Sequence, residues 1–416
     1  MSREMKDSGI EWIGDIPREW ESTRLKHLGK FVNGYAFKPE QWGYTGKRII
    51  RIQDLTGSND NPNYFDGEID IKYHINNGDI LVSWAATLDA FIWNKGEGLL
   101  NQHIFKAVHN KELISYEFFY WLLKETMENM NNDNKHGIVM QHVTLDVFNN
   151  FKVPLPNIVE QQRIAAFLDT QCAHIDSVIE KTRAAIEEYK RLKQSVITQA
   201  VTKGIRPNRE MKDSGIEWIG EIPKEWVCEK FKYIARVKAN LVHPDGYGDY
   251  QQVSPENIEK GTGKILPCKT VKETGVISDN HLFQKGQILY SKIRPILNKV
   301  AIAPFDGLCS ADMYPIETDI NKYYLLYALL SDSYLVNIRL ITEDRVKMPK
   351  INQEELSNIF FAIPEESEQS EIVAYLEEKT AAIDSLIQKK EQLITELESY
   401  KKSLIYEYVT GKKEVI

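Results

Sequence analysis

Two short fragments of the sequence resemble pieces of catalytic motifs. Asn61–Tyr64 (NPNY) resembles the Asn-Pro-Pro-Tyr loop of amino methyltransferases, but the second proline is absent and no glycine-rich turn precedes it to hold a methyl donor. Gly261–Lys264 (GTGK) lacks both the upstream glycine of a P-loop and the Ser or Thr that follows its lysine. Residues of these types favour tight turns. We therefore predict a turn at the first fragment and a hairpin turn at the second.

Candidate metal ligands and nucleophiles are scattered along the chain. The nine histidines form no HExxH pair, and His136 and His142 flank a five-residue loop with poor metal-binding geometry. The four cysteines lie at least 40 residues apart, which favours free thiols in a reducing cytoplasm. No carboxylate and lysine cluster of a nuclease is recognisable. The sequence therefore predicts a protein without a catalytic or metal centre of its own.

The elements that would position any site are duplicated. The sixteen residues Met5–Trp20 return as Met211–Trp226, and only two positions differ, both with conservation of charge. The chain is thus one unit written twice, about 206 residues apart. A doubled unit offers a partner two similar docking faces, so we expect a bipartite function.

Each copy contains a long helical segment. No Gly or Pro occurs between Asn157 and Gly204, and the apolar spacing of three or four residues is typical of a coiled-coil seam. The first seam is Ile164, Leu168, Cys172, Ile175, Ile179, Ile186, Tyr189, Leu192 and Val196. The second, 208 residues later, is Ile372, Leu376, Thr380, Ile383, Ile387, Ile394, Leu397, Tyr400 and Leu404. Asn157 and Glu160 predict an N-cap and capping box.

A helix of about 40–45 residues would be about 60–70 Å long. Its single apolar stripe needs a partner, and we predict antiparallel pairing of the two copies, with pairing to another protein as the alternative. The preceding domains would then be held at opposite ends of a rigid rod. Placing the C-terminal residues beside Met5 would complete a near two-fold ring, with one repeat motif at each junction.

The segments before the helices resemble each other only in outline. Gly78–Ser83 (GDILVS) and Gly286–Ser291 (GQILYS) alternate after a glycine turn and predict strands. The other predicted counterparts are Ile49–Leu55 with Tyr250–Ile258, the helices Tyr116–Leu123 and Tyr323–Leu330, and the apolar ends Phe151–Pro156 and Phe360–Pro364. The fold class is α+β, with two mixed α/β globular domains and a pseudo-two-fold repeat. The predicted boundaries are 1–156 and 205–364 for the domains, and 157–204 and 365–416 for the helices and tail.

The helices keep their register while the globular domains diverge. Two domains that bind different targets explain this difference, and neutral drift is the alternative. The hydrophobic content is 42%, no apolar run reaches the length of a membrane span, and the first residues lack the apolar region of a signal peptide. The net charge is −8, yet Phe283–Pro304 contains four basic residues and no Asp or Glu. A local basic surface on an acidic frame is compatible with DNA binding.

The chain resembles the specificity subunits of type I DNA restriction–modification systems over essentially its whole length. The residues that carry the resemblance are Ser8–Trp20 and Ser214–Trp226, the Glu-Gln helix openings at Glu160 and Glu368, and Leu289–Lys299 (LYSKIRPILNK). The resemblance implies a protein without enzymatic activity that binds a split, asymmetric DNA sequence. It also implies two modification subunits that bring S-adenosylmethionine, and two restriction subunits that use ATP and Mg. The first domain has SWAAT in place of SKIRP, so contacts cannot be transferred between the domains.

Base edges are read by Arg, Lys, Asn, Gln and Ser side chains, and Lys and Arg neutralise phosphates. The candidate DNA-binding residues of the second domain are Gln251, Gln252, Ser254, Ser291, Lys292, Arg294, Lys299, Arg345 and Lys347. Those of the first domain are Lys38, Arg48, Arg51, Gln53, Ser83 and Gln141. An ordinary solvent-exposed or strand-pairing role is the alternative for each. Trp12 and Trp218 are expected to pack a domain against a helix. Two competing functions remain, a coiled-coil adaptor that never touches DNA and a self-contained modification enzyme.

Overall fold

The computed structural model describes residues 3–59, 61–135, 144–345 and 347–415. The chain divides into two compact units, Met1–Lys181 with Leu393–Ile416, and Thr182–Gln392. Each unit therefore holds one globular domain and a part of both long helices.

The first unit begins with short strands and ends on a long helix. Its strands are β1 (Met5–Asp7), β2 (Asp15–Pro17), β3 (Glu21–Arg24), β4 (Gly29–Asn33), β5 (Lys47–Ile50), β6 (Tyr64–Phe65), β7 (His74–Ile75), β8 (Ile80–Ser83), β9 (Asp89–Ile92), β10 (Gly98–Leu100), β11 (Ile104–His109) and β12 (Lys152–Leu155). Its helices are α1 (Leu25–Leu28), α2 (Ile52–Thr56), α3 (Tyr116–Lys135), α4 (Leu145–Asn150) and α5 (Ile158–Lys203), which continues into the second unit, with 3-10 turns at Pro39–Gln41 and Ile71–Tyr73.

Two four-stranded sheets form the first globular domain, with strand orders β6-β5-β10-β7 and β4-β11-β8-β9. Strands β5 and β10 are parallel, and the other pairs in these two sheets are antiparallel. Side chains alternate between the two faces of a strand. On β8, Ile80 and Val82 therefore pack into the same core as α3, while Leu81 packs with the other sheet.

The second unit repeats this arrangement. Its strands are β13 (Met211–Asp213), β14 (Glu221–Pro223), β15 (Val227–Lys230), β16 (Ala235–Val237), β17 (Leu241–Val242), β18 (Gln251–Val253), β19 (Lys269–Thr270), β20 (Asn280–Phe283), β21 (Ile288–Ser291), β22 (Val300–Ile302), β23 (Gly307–Cys309), β24 (Met313–Thr318) and β25 (Phe360–Ile363). Its helices are α6 (Phe231–Ile234), α7 (Val271–Thr274), α8 (Lys322–Leu330), α9 (Asp332–Thr342), α10 (Gln353–Ser357) and α11 (Glu366–Val409), which continues into the first unit, with 3-10 turns at Pro255–Asn257 and Pro295–Leu297.

The sheets of the second unit have the orders β16-β24-β21-β22 and β17-β20-β23-β18-β19, again with one parallel pair, β18 with β23. On β21, Ile288 and Tyr290 pack into the same core as α8 and α9, while Leu289 belongs to the core between the sheets. The two strands predicted after glycine turns are thus equivalent, and those turns, Gly78 and Gly286, have φ of +89° and +91°. The predicted α+β class and internal repeat are confirmed.

In the first unit, α5 and α11 run antiparallel. The rings of Phe167 and Tyr408 lie 4.4 Å apart, and nine residues further along α5 the carboxylate of Asp176 accepts a hydrogen bond from Lys401 Nζ at 2.6 Å. As the residue number rises on α5 it falls on α11, which fixes the antiparallel direction.

The second unit contains the same pairing of the same helices. Lys193 Nζ donates to Asp384 at 2.7 Å, and Lys390 Nζ lies 5.8 Å from the ring centre of Tyr189. The Lys193–Asp384 pair is the Lys401–Asp176 pair displaced by 208 residues in each partner. The predicted intramolecular antiparallel pairing is therefore confirmed.

The predicted apolar seam is correct except at one equivalent pair of positions. Leu192 and Tyr400 are 49% and 55% exposed, whereas the other predicted members are buried or half-buried. Further along α5, Ile197 and Val201 are buried instead. A straight helix drifts by about 20° per heptad relative to a strict 3.5-residue repeat. The buried stripe consequently moves away from Leu192 and Tyr400.

Each repeat motif is fastened to the start of a long helix by its last tryptophan. Trp20 Nε1 donates to Glu160 Oε2 at 2.8 Å, and Trp226 Nε1 donates to Glu368 Oε2 at 3.1 Å. Asn157 caps α5, because its Oδ1 accepts from the backbone N–H of Glu160 at 3.0 Å. A capping box would also require the Glu160 carboxylate to accept from the backbone N–H of Asn157. That carboxylate instead accepts from Trp20 Nε1.

The C-terminal residues lie against the N-terminal motif within the first unit. Gly411 has φ of +73°, and a Cβ there would lie 2.5 Å from Pro17 and 3.0 Å from Trp20. Lys412 Nζ donates to the backbone oxygen of Asp15 at 2.6 Å. The predicted closure at this junction is confirmed. Within the described ranges, no helix has the length and apolar character that a membrane span requires.

Candidate nucleic-acid interface

A strained loop follows β21 in the second unit. Ser291 is 1% exposed, and its Oγ donates to the backbone oxygen of Ile293 at 3.0 Å. Arg294 and Asn298 bracket the following 3-10 turn with φ of +45° and +47°. A left-handed backbone is unfavourable for any residue with a Cβ, by roughly 1–2 kcal/mol. The loop therefore depends on its surroundings for its shape.

Those surroundings are the loop before α10. Arg294 N donates to Pro349 O at 2.7 Å, and Ile351 N donates to Lys292 O at 2.9 Å. The structure thus brings the SKIRP segment against the loop that contains Lys347 and Pro349, a contact that the sequence did not predict. Arg294 and Lys347 are both exposed, and neither side chain makes a hydrogen bond or ion pair within the part of the chain that the structure describes.

Arg345, by contrast, is held in an ion pair with a carboxylate. Its guanidinium forms an ion pair with Glu355 and also donates to Lys350 O. The hydrogen bond from Arg345 holds the pKa of Glu355 below its usual range, although burial opposes the shift. We therefore reassign Arg345 from a DNA contact to a residue that fixes the loop.

Lys299 and Lys292 occupy intermediate positions. Lys299 Nζ donates to Pro255 O at 2.6 Å, which ties the loop to the turn after β18. Lys292 Nζ lies 5.4 Å from the ring centre of Tyr314. Burial, and secondly the charge of Lys292, lower the pKa of His281 and so favour its neutral form.

The polar candidates on and after β18 are largely used internally. Gln252 is 8% exposed, and its Nε2 donates to Asn280 Oδ1 at 2.9 Å. Ser254 Oγ donates to Asn257 Oδ1 at 2.9 Å, while Gln251 remains half-buried. A buried amide that already bonds another side chain is not free to contact a base, so Gln252 is reassigned to the interior.

In the first unit, Ser83 is fully buried and its Oγ donates to Ala85 O at 3.2 Å. Ser83 and Ser291 were predicted as contacts because hydroxyls can bond base edges, but burial removes both from that role. Gln141 lies outside the described residues, as do His136 and His142.

The remaining first-unit candidates lie before the 3-10 turn Pro39–Gln41, on β5 and at the start of α2. Arg51 lies with its guanidinium carbon 5.0 Å from the ring centre of Trp42, and its Nη1 donates to Asn63 Oδ1 at 3.0 Å. Gln53 and Lys38 are exposed. Arg48 is not available, because its Nε donates to Asp54 at 2.9 Å. That carboxylate is only 1% exposed, so the pair is structural.

Sequence reasoning missed two aromatic residues of this surface. Trp42 is 37% exposed, and Tyr44, in the turn before β5, is 97% exposed. Exposed aromatic rings beside basic side chains are common in nucleic-acid interfaces. The signal was present as Trp-Gly-Tyr-Thr-Gly-Lys, in which glycines present aromatic residues next to a lysine.

The fragments that resembled catalytic motifs have structural roles. Tyr64 belongs to β6, and Asn63 accepts the hydrogen bond from Arg51. Gly261–Lys264 is a hairpin turn, closed by Glu259 N donating to Lys264 O at 3.0 Å. Within the described ranges, no group of three His, Cys, Asp or Glu side chains could hold a metal ion, and the four cysteines are free.

The first tryptophan of each repeat motif is half-buried and packs against its own unit. Trp218 lines a small cavity together with Val201 and Thr202 of α5, as predicted. Trp12 stacks on Phe151 at 5.7 Å and donates to Lys152 O at 3.2 Å, so it packs on the strand that leads into α5.

The architecture of two similar α+β domains, each followed by a long helix, has clear counterparts among known proteins. The model of the type I restriction modification DNA specificity domain matches residues 17–188 and again residues 227–396. The EcoDI specificity subunit of Escherichia coli is 32% identical over 96% of this chain and 90% of its own length. The MjaVIII specificity subunit of Methanocaldococcus jannaschii is 24% identical over 96% of this chain and 94% of its own length.

Solved structures agree on the fold. A chain from a study of complex assembly and conformational transition of the type I R-M system covers 96% of this chain and 99% of its own length, with a TM-score of 0.70 at 15% identity. The HsdS subunit from Thermoanaerobacter tengcongensis covers 96% and 98%, with a TM-score of 0.50 at 16% identity. The chain belongs to the family of type I restriction–modification DNA specificity subunits and carries two target-recognition domains.

Proposed function

We propose that each globular domain reads one part of a split, asymmetric DNA sequence and that the two long helices set the unread gap. One observation carries this proposal. The helix pairs Lys193–Asp384 and Lys401–Asp176 are identical in type, whereas Arg294 of the second domain corresponds by the same offset to Ala86 of the first. A shared scaffold with divergent surfaces suits two domains that recognise two different short DNA sequences. Each of these short sequences is called a word below.

Basic side chains outside the ion pairs described above supply the contacts to DNA. In the second domain these are Arg294 and Lys347, and in the first they are Lys38 and Arg51, with Trp42 beside the latter. Phosphate contacts give affinity and base-edge contacts give specificity. Such a surface explains DNA binding by a chain whose net charge is −8.

The chemistry belongs to partner subunits. Two modification subunits dock on the helices and bring S-adenosylmethionine, and two restriction subunits use ATP and Mg in the cytoplasm. Leu192 and Tyr400, large side chains at equivalent positions of the two helices, are about half exposed. Two equivalent exposed positions suit two copies of one partner, and the chain itself takes no catalytic part.

Selection from a random duplex library, with the modification subunit present, tests the proposal. We expect two short words separated by a fixed gap, and an affinity that falls steeply as the salt concentration rises. One ungapped word, or none, contradicts the proposal. Protein binding without DNA binding and without salt dependence supports the adaptor instead.

A second experiment tests the non-catalytic assignment. The purified chain alone is incubated with duplex DNA and a labelled methyl donor, and no transfer is expected. Transfer by the chain alone would favour the self-contained modification enzyme.

A further inference from the structure

The loop after β8 in the first unit and the loop after β21 in the second differ in length, with five and eight residues, but they begin alike. Ser83 and Ser291 each end a strand, are at most 1% exposed, and donate Oγ to the carbonyl two residues on, at 3.2 and 3.0 Å. Three residues after each serine the chain turns left-handed, at Ala86 with φ of +59° and Arg294 with φ of +45°. Both residues are exposed.

The two loops begin alike although their sequences differ. After the serine the first loop reads Trp-Ala-Ala-Thr and the second reads Lys-Ile-Arg-Pro. The strands that carry them begin alike, with Gly78 N donating to Trp93 O at 2.7 Å and Gly286 N donating to Ala303 O at 2.8 Å. Both strands lie second from the edge of equivalent four-stranded sheets.

A left-handed residue with a Cβ persists only where its environment over-determines it, and such residues gather at binding sites. Neither copy has relieved the strain with glycine, although fifteen glycines elsewhere in the described chain adopt positive φ. The left-handed position is therefore kept while the side chain that it presents differs. This combination is what a shared reading element with two specificities requires.

We infer that this loop is the same base-reading element in both domains and that its left-handed residue, Ala86 or Arg294, determines which base is read. The inference rests on the proposed function. The free guanidinium of Arg294 suits the two acceptors on the major-groove edge of guanine, whereas Ala86 offers a methyl contact to thymine. Ser83 and Ser291 are positioning residues, because their hydroxyls hold the turn from inside.

Arg294→Ala tests the second domain, with library selection on the assembled modification complex. We expect the preference for guanine to disappear at one position of one word, with a loss of affinity for the original sequence of roughly 5- to 150-fold. The other word stays unchanged. Lys347→Ala is the matched control, which should weaken all sequences alike and flatten the salt dependence. A uniform loss for Arg294→Ala, as for the control, overturns the inference.

Ala86→Arg tests the first domain in the opposite direction, and we expect a new guanine preference at one position of the other word. Arg294→Gly and Ala86→Gly control for folding, because relief of the left-handed strain should raise the Tm. The guanine preference should be lost in Arg294→Gly, and the thymine preference should weaken in Ala86→Gly. If the unaltered chain selects no split word, the proposed function fails. If it selects one and the variants leave both words intact, only this inference fails.

Discussion

A carboxyl group buried in the first domain has an unusual proton affinity. Glu125 of α3 is 6% exposed, and burial, together with the neighbouring charge of Glu128, raises its pKa to about 7, against the opposing effect of Lys402. The folded state thus holds this proton more tightly than the unfolded state, in which the pKa is about 4.5. Its contribution to stability is fully present below pH 4.5 and is lost as the pH rises through 7.

We predict that Glu125→Gln removes this loss. At pH 8 the variant should be more stable than the unaltered chain by up to about 3 kcal/mol, and the two should converge toward pH 4.5. Calorimetric unfolding of the first unit between pH 4.5 and 8 measures the difference. Glu117→Gln, an exposed position of the same helix, is the control. Parallel pH profiles for Glu125→Gln and the unaltered chain would contradict the prediction.

The sequence alone does not show which arginines are held in ion pairs. Arg48, Arg294 and Arg345 are identical in type, and nothing in the sequence distinguishes them as DNA contacts. Only the fold shows that two of them are held by Asp54 and Glu355 while the third is free. The left-handed turn at Arg294 was also unforeseen, because no glycine marks it. Ion pairing and burial depend on tertiary contacts that spacing does not encode.

At the scale of elements, the start of each long helix is fixed by a buried charge. Glu368 accepts from Trp226 and from Arg209, and these bonds keep its pKa below the usual value although burial alone would raise it. The same trio occurs in the first unit around Glu160. The stabilisation from Glu368 is present above the ordinary carboxyl pKa of 4.5 and is lost as the pH falls below it.

Glu368→Gln and Glu160→Gln should each destabilise their own unit by roughly 1–3 kcal/mol, because the charged hydrogen-bond acceptor is lost while the side-chain volume is kept. Glu366→Gln, an exposed change at the same helix start, controls for the loss of a surface charge. Chemical denaturation at pH 7 supplies the measurement. Values equal to the control would show that the anchor contributes little.

Leu192 of α5 and Tyr400 of α11 are exposed on the helices that we propose as the docking surface for partner subunits. We predict that Leu192→Asp or Tyr400→Asp lowers the number of bound modification subunits from two to one, and that the double variant binds none, because a charge replaces an exposed apolar contact at each position. Native mass spectrometry counts the subunits. Leu340→Asp, on the exposed side of α9, is the matched control. Full occupancy in the double variant would place the docking surface elsewhere.

Helices and strands were predicted correctly where the sequence has a regular apolar spacing or a glycine turn. The 3.5-residue spacing located α5 and α11, and the glycines at 78 and 286 located β8 and β21. The spacing failed at Leu192 and Tyr400, where the stripe drifts. The hydrogen bond from Trp20 to Glu160 could not be predicted, because the two residues are 140 positions apart. The nearby Asn157 offered a local capping pattern for the same glutamate.

At the scale of the whole molecule, the two junctions between repeat motif and helix are chemically alike but differ in connectivity. In the second unit the chain runs on from Gly204 to the motif, with Gly204 packed near Trp226. In the first unit Gly411 packs on Trp20 without a covalent link to the motif. The same glycine and tryptophan contact therefore forms whether or not the chain is continuous. The internal repeat of the sequence is therefore also present in the packing of the two junctions.

The proposed role of the helices as a ruler leads to a prediction of length. Deleting residues 181–187 of α5 and the equivalent residues 389–395 of α11 keeps the heptad register and shortens each helix by about 10 Å. At about 3.4 Å per base pair, the gap should shrink by roughly three base pairs while both words remain. Affinity should also fall, because each base pair rotates the DNA by about 34–36°.

Library selection with the shortened chain measures the gap directly. A full-length variant with the exposed residues of the same segments changed to alanine is the control, and it should keep the original gap. Loss of one word together with the shortened gap would show that the deletion disturbed a domain. An unchanged gap with both words intact would show that the spacing is set by something other than the helices, since their length is the only quantity altered.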